Sequence, residues 1–187
     1  HTAGASRIGR IARRLLGCRP AAVELLLHGS FAATGKGHGT DTALVAGVLD
    51  KVADMTVFLN PAAESYTRFG GHKAPKYISW SHENRSQLVR IPAAAGEYRR
   101  AELRSPDPAA NPYLAFALMI QAGLRGMEQN LELPPAADLN LYQADGESLS
   151  RLQPLPQSRE AAATAARSSE FIAQAVPEAV AEEYFKG

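Results

Sequence analysis

Tyr98-Arg99-Arg100-Ala101-Glu102-Leu103-Arg104-Ser105-Pro106-Asp107-Pro108-Ala109-Ala110-Asn111-Pro112-Tyr113 sets Arg100, Glu102 and Arg104 at every second position. Side chains alternate faces along an extended strand, so these three charges share one side while Arg99, Ala101 and Leu103 take the other. Two guanidiniums grip phosphate or carboxylate through paired N–H donors, and a carboxylate between them is a ligand type for a hard divalent cation. That set suits phosphoryl transfer to a carboxylate. A solvated edge strand with in-row ion pairs accounts for the same row equally well.

Outward from this row, the Ser105-Pro106-Asp107-Pro108 segment ends the strand, and Asn111 with Pro112 starts a long helix whose apolar stripe fades near Asn130. Upstream, Lys76 to Trp80, Gln87 to Ile91 and Glu97 to Arg104 read as three strands that pair antiparallel, with turns at Asn60-Pro61 and Gly70-Gly71. Thr40 or Asp41 caps a helix running to about Val52, preceded by a strand from Val23 to Leu27, a glycine-punctuated stretch, and an amphipathic helix from Arg7 to Leu16. Downstream, a connector from Leu133 to Pro156 leads to one alanine-rich helix, Arg159 to Gln174, and a tail helix after Pro177.

The chain has 187 residues, is 45% apolar and carries a formal charge of +1, so it buries a core and shows no global bias toward nucleic acid or an anionic membrane. No apolar run is long enough to span a bilayer. The single Cys18 excludes an internal disulfide framework, cannot alone hold a 4Fe-4S cluster, and fits a reducing, cytoplasmic setting. The start at His1 reads as an internal position of a longer reading frame.

Asn60-Pro61, Ser65-Tyr66-Thr67-Arg68, Ala74-Pro75, Ser79-Trp80-Ser81, Asn84-Arg85-Ser86, Arg90-Ile91-Pro92, Arg100 to Arg104 and Pro106 to Tyr113 together resemble, in order, the C-terminal part of the catalytic domain of type I glutamine synthetase. The resemblance implies ATP-dependent ligation of ammonia to L-glutamate through γ-glutamyl phosphate, in a homo-oligomer using Mg2+ or Mn2+ with ATP. It implies that Arg68 and Arg104 hold the glutamate, that Arg85, Arg90 and Arg100 face nucleotide phosphates, and that Glu102 ligates metal. Arg85 and Lys73 fall at catalytic positions. Lys73 stands where the family usually carries a flap glutamate that takes a proton from ammonium, and it reads equally as an exposed loop charge or as the mark of a variant that uses another nearby base. Arg85 and Arg90 are five apart, on opposite faces of an unbroken strand, and converge only if Arg85 lies in a turn or a bulge intervenes. Tyr142 falls where some relatives are adenylylated and is expected here to serve packing or hydrogen bonding.

His1 to Ala5, Arg7 to Arg13, His28 to Ala32 and Thr34 to Asp41 resemble instead the beta subunit of an iron-sulfur-dependent L-serine dehydratase, with His28 and His38 as polar site candidates. The expectation is therefore an α+β chimera. Residues 1–47 would form a small helix-strand-helix fragment, and 48–187 a partial antiparallel sheet with C-terminal helices. L-serine ammonia-lyase activity and a non-catalytic anion-binding or assembly module are the alternatives to the ligase.

Overall fold

The computed structural model describes residues 24–26, 40–71, 74–93 and 100–186. The readings for the Arg7 to Leu16 helix, the glycine-rich stretch, His28, His38, Cys18 and Lys73 fall outside those residues. Within them a four-stranded sheet, β1 (Glu24–Leu26), β2 (Trp80–Ser81), β3 (Val89–Arg90) and β4 (Arg100–Leu103), runs in the order β1-β4-β3-β2. β4 lies antiparallel between β1 and β3, with Leu25 opposite Ala101 and Arg90 opposite Glu102.

One pairing departs from the expected antiparallel sheet: β2 and β3 are parallel, with Trp80 beside Val89 and Ser81 beside Arg90. The polar link between them does not fold back as a hairpin. Ser81 Oγ accepts from the Asn84 amide at 3.1 Å and Asn84 Oδ1 accepts from the Ser86 amide at 2.9 Å, coiling the chain until Val89 re-enters in the original direction. Val89 N–H then donates to Ser79 O at 3.0 Å and Ile91 N–H to Ser81 O at 2.9 Å.

Helix α1 (Thr40–Leu59) is longer than its amphipathic stripe predicts and runs unbroken through Gly47, the expected boundary between the two segments. Val52, Met55, Val57, Phe58 and Leu59 are all fully buried, as is Thr56, so its last turn is buried on every side and carries no stripe to read. A 3-10 turn (Ala63–Arg68) follows. Helix α2 (Pro112–Glu128) begins as the sequence predicts, with Asn111 Oδ1 accepting from the amides of Tyr113 and Leu114 at 3.0 and 3.3 Å. Leu44, Val45 and Val48 of α1 and Met119 of α2 face Val89, Ala101 and Leu103 of the sheet across an apolar recess, which leaves the charged side of β4 turned away from the helices.

The connector holds one short helix, α3 (Gly146–Ser150). The alanine-rich segment is two helices rather than one, α4 (Arg159–Arg167) and α5 (Glu170–Ala175). Ser169 breaks it: its hydroxyl donates to Asp54 Oδ2 at 2.7 Å and accepts from the Ile172 amide at 3.3 Å, starting a new helix at an angle the apolar pattern does not encode. The tail helix, α6 (Glu178–Phe185), returns to α1, with the Tyr184 and Phe58 rings 4.9 Å apart. Arg159 ties the corner by donating to Pro61 O at 2.9 Å and Tyr184 O at 3.0 Å.

Candidate functional site

The charged face of β4 meets β3 at a single carboxylate. Arg90 lies directly across from Glu102 in the ladder, and its guanidinium grips that carboxylate side-on, Nε to Oε2 and Nη2 to Oε1, both at 2.8 Å. Arg100, two residues before Glu102 on the same face, donates from Nε to Oε1 at 3.0 Å. Burial alone raises the Glu102 carboxyl pKa, but the hydrogen bonds and charges of Arg90 and Arg100 outweigh it, so the group titrates below its ordinary range.

A depressed carboxyl stabilises the fold above its unfolded-state value of 4.5, and that contribution is lost as pH falls through the lower folded value. Glu102→Gln is therefore expected to flatten the stability profile below about pH 4.5. Urea midpoints collected from pH 6 to pH 3, parallel for the two chains, would show that the Arg90–Glu102–Arg100 contact does not form.

Arg104 follows β4 directly, anchored by its amide to Leu88 O at 2.9 Å. Burial lowers its pKa, and the charges of Tyr142, Arg90, Glu102 and Arg85 all reach it. Its Nη1 is buried with no hydrogen-bond partner among the described residues. Arg85 is exposed and lies in the turn before β3, one of the two arrangements its spacing from Arg90 allows.

That turn also moors the segment bearing Tyr142. Ser86 Oγ donates to Asn84 Oδ1 at 2.8 Å and accepts from the Leu141 amide at 2.9 Å, while Gln87 Nε2 donates to Leu139 O at 2.8 Å. Burial pushes the Tyr142 phenol up, and the Arg104 charge acts against that shift. The sequence gives little notice of Ser86 and Gln87, because their partners lie more than fifty residues away.

Arg68 belongs to a different set. Its Nη2 donates to Asn60 Oδ1 at 2.6 Å and Ser105 O at 2.5 Å, and Asp107 lies 3.5 Å from its Nε. Asn60 is wholly buried and donates back to Thr56 O at 3.3 Å, so this arginine braces the end of α1 against the segment leading into α2. The structure thus joins Arg90 and Arg100 on Glu102, sets Arg104 just after β4 and Arg85 in the turn before β3, and ties Arg68 to Asn60, Ser105 and Asp107.

A divalent cation does not fit these residues by themselves. Both Glu102 oxygens already accept from guanidiniums, and no group of three or more His, Cys, Asp or Glu side chains able to hold a metal occurs among the described residues. What the cluster offers is several cations around one carboxylate, with an unpaired donor at Arg104, an arrangement suited to a multiply charged anion.

Residues 30–187 match the family described as glutamine synthetase, catalytic domain. Glutamine synthetase of Methanosarcina mazei is 41% identical over 143 residues, covering 75% of this chain and 32% of that protein. The Staphylococcus epidermidis enzyme is 43% identical over 142 residues, covering 73% and 32%. A solved GmaS/ADP complex superposes with a TM-score of 0.69 at 32% identity over 79% of this chain and 34% of that one, and apo GmaS with 0.66 at 31%. The chain thus spans about a third of the length of the relatives it matches. Among the described residues no helix is long and apolar enough to cross a membrane.

Proposed function

The chain belongs to the glutamine synthetase catalytic-domain family, and from that premise we propose that it supplies the arginine-lined wall of an ATP-dependent ligase that joins ammonia to L-glutamate. The observation that carries this reading is the pairing of Arg90 and Arg100 on Glu102 across β3 and β4, with Arg104 directly after them in the same strand direction. In the proposed reaction a glutamate side-chain oxygen attacks the terminal phosphorus of ATP and ADP departs. Ammonia then adds to the acyl carbon of γ-glutamyl phosphate, loses a proton, and expels phosphate. Charge accumulates on phosphoryl oxygens in the first step and on the departing phosphate in the second. Fixed guanidiniums stabilise both without reorganising.

Within this reading Arg85, Arg90 and Arg100 face phosphates and Arg104 offers its unpaired Nη1 to the glutamate carboxylate. Arg68 contributes by holding Ser105, and hence Arg104, in place. A divalent metal would supply Lewis-acid chemistry to such a ligase, and because Glu102 alone does not fit that task its ligands would have to come from outside the described residues.

The full chain is therefore expected to bind ATP without steady turnover. Arg85→Ala, which alters an exposed turn residue, should weaken that binding about tenfold or more, the loss of one charge-assisted contact. Calorimetric titration with ATP, alongside a phosphate-release assay with glutamate and ammonia, checks both halves. Equal ATP affinity in wild type and Arg85→Ala would remove the support for this assignment, and sustained release dependent on both substrates would overturn the expected inactivity.

A further inference from the structure

The connector before α3 is stitched at several points to β2 and to the turn that follows it. Trp80 Nε1 donates to Pro134 O at 2.6 Å and the Ala137 amide to Trp80 O at 2.9 Å. Gln87 Nε2 donates to Leu139 O at 2.8 Å and the Leu141 amide to Ser86 Oγ at 2.9 Å. On each side of that last bond the chain forms a turn closed by its own asparagine. Asn84 Oδ1 accepts from the Ser86 amide at 2.9 Å and the Ser86 hydroxyl at 2.8 Å, and Asn140 Oδ1 accepts from the Tyr142 amide at 3.1 Å. The Ser86 hydroxyl therefore bonds to both turns at once. Ser86 is 2% exposed and Gln87 fully buried, while Arg85, between Asn84 and Ser86, is exposed.

We propose that Ser86 is a positioning residue for Arg85: by pinning the 84–87 turn to the connector, it presents the Arg85 guanidinium to a phosphate from a backbone fixed in advance. The inference rests on the phosphate-facing role given to Arg85 above and deepens it. An arginine on a free turn must order its backbone as well as its side chain when it grips an anion, and each residue so ordered subtracts from affinity. Ser86 is buried and its hydroxyl is engaged both as donor and as acceptor, so it acts on an anion only through the turn it holds. Alanine at this position frees the Asn84 side chain and leaves the Leu141 amide without its acceptor.

The test uses the full chain and calorimetric titration with ATP. Ser86→Ala is expected to weaken ATP binding about fivefold, the cost of ordering roughly one backbone residue moved into the binding step. A double-mutant cycle separates positioning from general loosening. In an Arg85→Ala background the same substitution should leave the affinity unchanged, because the residue through which it acts is gone. Equal weakening in both backgrounds overturns the proposal, as does unchanged affinity of a folded Ser86→Ala chain. In the wild-type chain the Leu141 amide should be protected from hydrogen exchange without ATP as well as with it. Free exchange that stops only when ATP is added means the turn is not fixed beforehand, and the proposal fails whether or not the variant folds. Failure of the underlying reading looks different: no ATP binding by the wild-type chain, or equal binding by Arg85→Ala, removes the role of Arg85 and this inference with it.

Discussion

Gly126→Ala is expected to lower the stability of the chain by about 3 kcal/mol or more, at the upper end of what overpacking costs. Intrinsic propensity argues the other way, since alanine favours a helix interior over glycine by about 1 kcal/mol. Space decides the sign. A Cβ built on Gly126 would lie 2.1 Å from Ala43 O and 2.7 Å from Gly47 Cα, and one on Gly47 would lie 2.2 Å from Ala122 O. These are backbone atoms, so relief requires α1 and α2 to separate along the contact that anchors the core. Gly123→Ala is the internal control, because its nearest neighbour is the Leu44 side chain at 2.8 Å, which has rotamers to move into. Urea unfolding of the three chains checks the order. A Gly126→Ala chain as stable as wild type would mean that the helices do not cross this closely.

Arg68→Leu is expected to cost about 3 kcal/mol, the sum of two hydrogen bonds from a charged donor to buried acceptors. Asn60 Oδ1 and Ser105 O would lose their partner, and Asp107 its nearby cation. Lysine should not restore the loss, because one ammonium on a flexible stem does not reproduce the planar fork. Denaturant midpoints at constant slope give the measurement. Retention of wild-type stability in Arg68→Leu would return Arg68 to a purely ligand-directed role.

The features legible from sequence are those whose cause is local. Asn111 followed by Pro112 announces the start of α2, and the alternation of charge with Ala101 and Leu103 assigns the two faces of β4 correctly. Features set by distant partners were not legible. The last turn of α1 is buried all round and shows no period, and Ser169 splits the alanine-rich helix through an aspartate more than a hundred residues earlier. At the site, spacing shows that Arg100 and Glu102 share a face. That Arg90 closes on Glu102 depends on the β3–β4 register, and the bracing of Arg68 depends on Asn60, which reads from sequence only as the start of a turn.

The glycine crossing also governs how the chain is made. Helix α1 ends at Leu59 and its partner α2 does not finish until Glu128, some seventy residues later. At ribosomal speeds of about 5–20 residues per second, the face of α1 around Leu44 and Val48 waits several seconds for the helix that packs on it. Nascent chains stalled between those two points should therefore recruit holdase chaperones, and release them once Gly126 has cleared the exit tunnel.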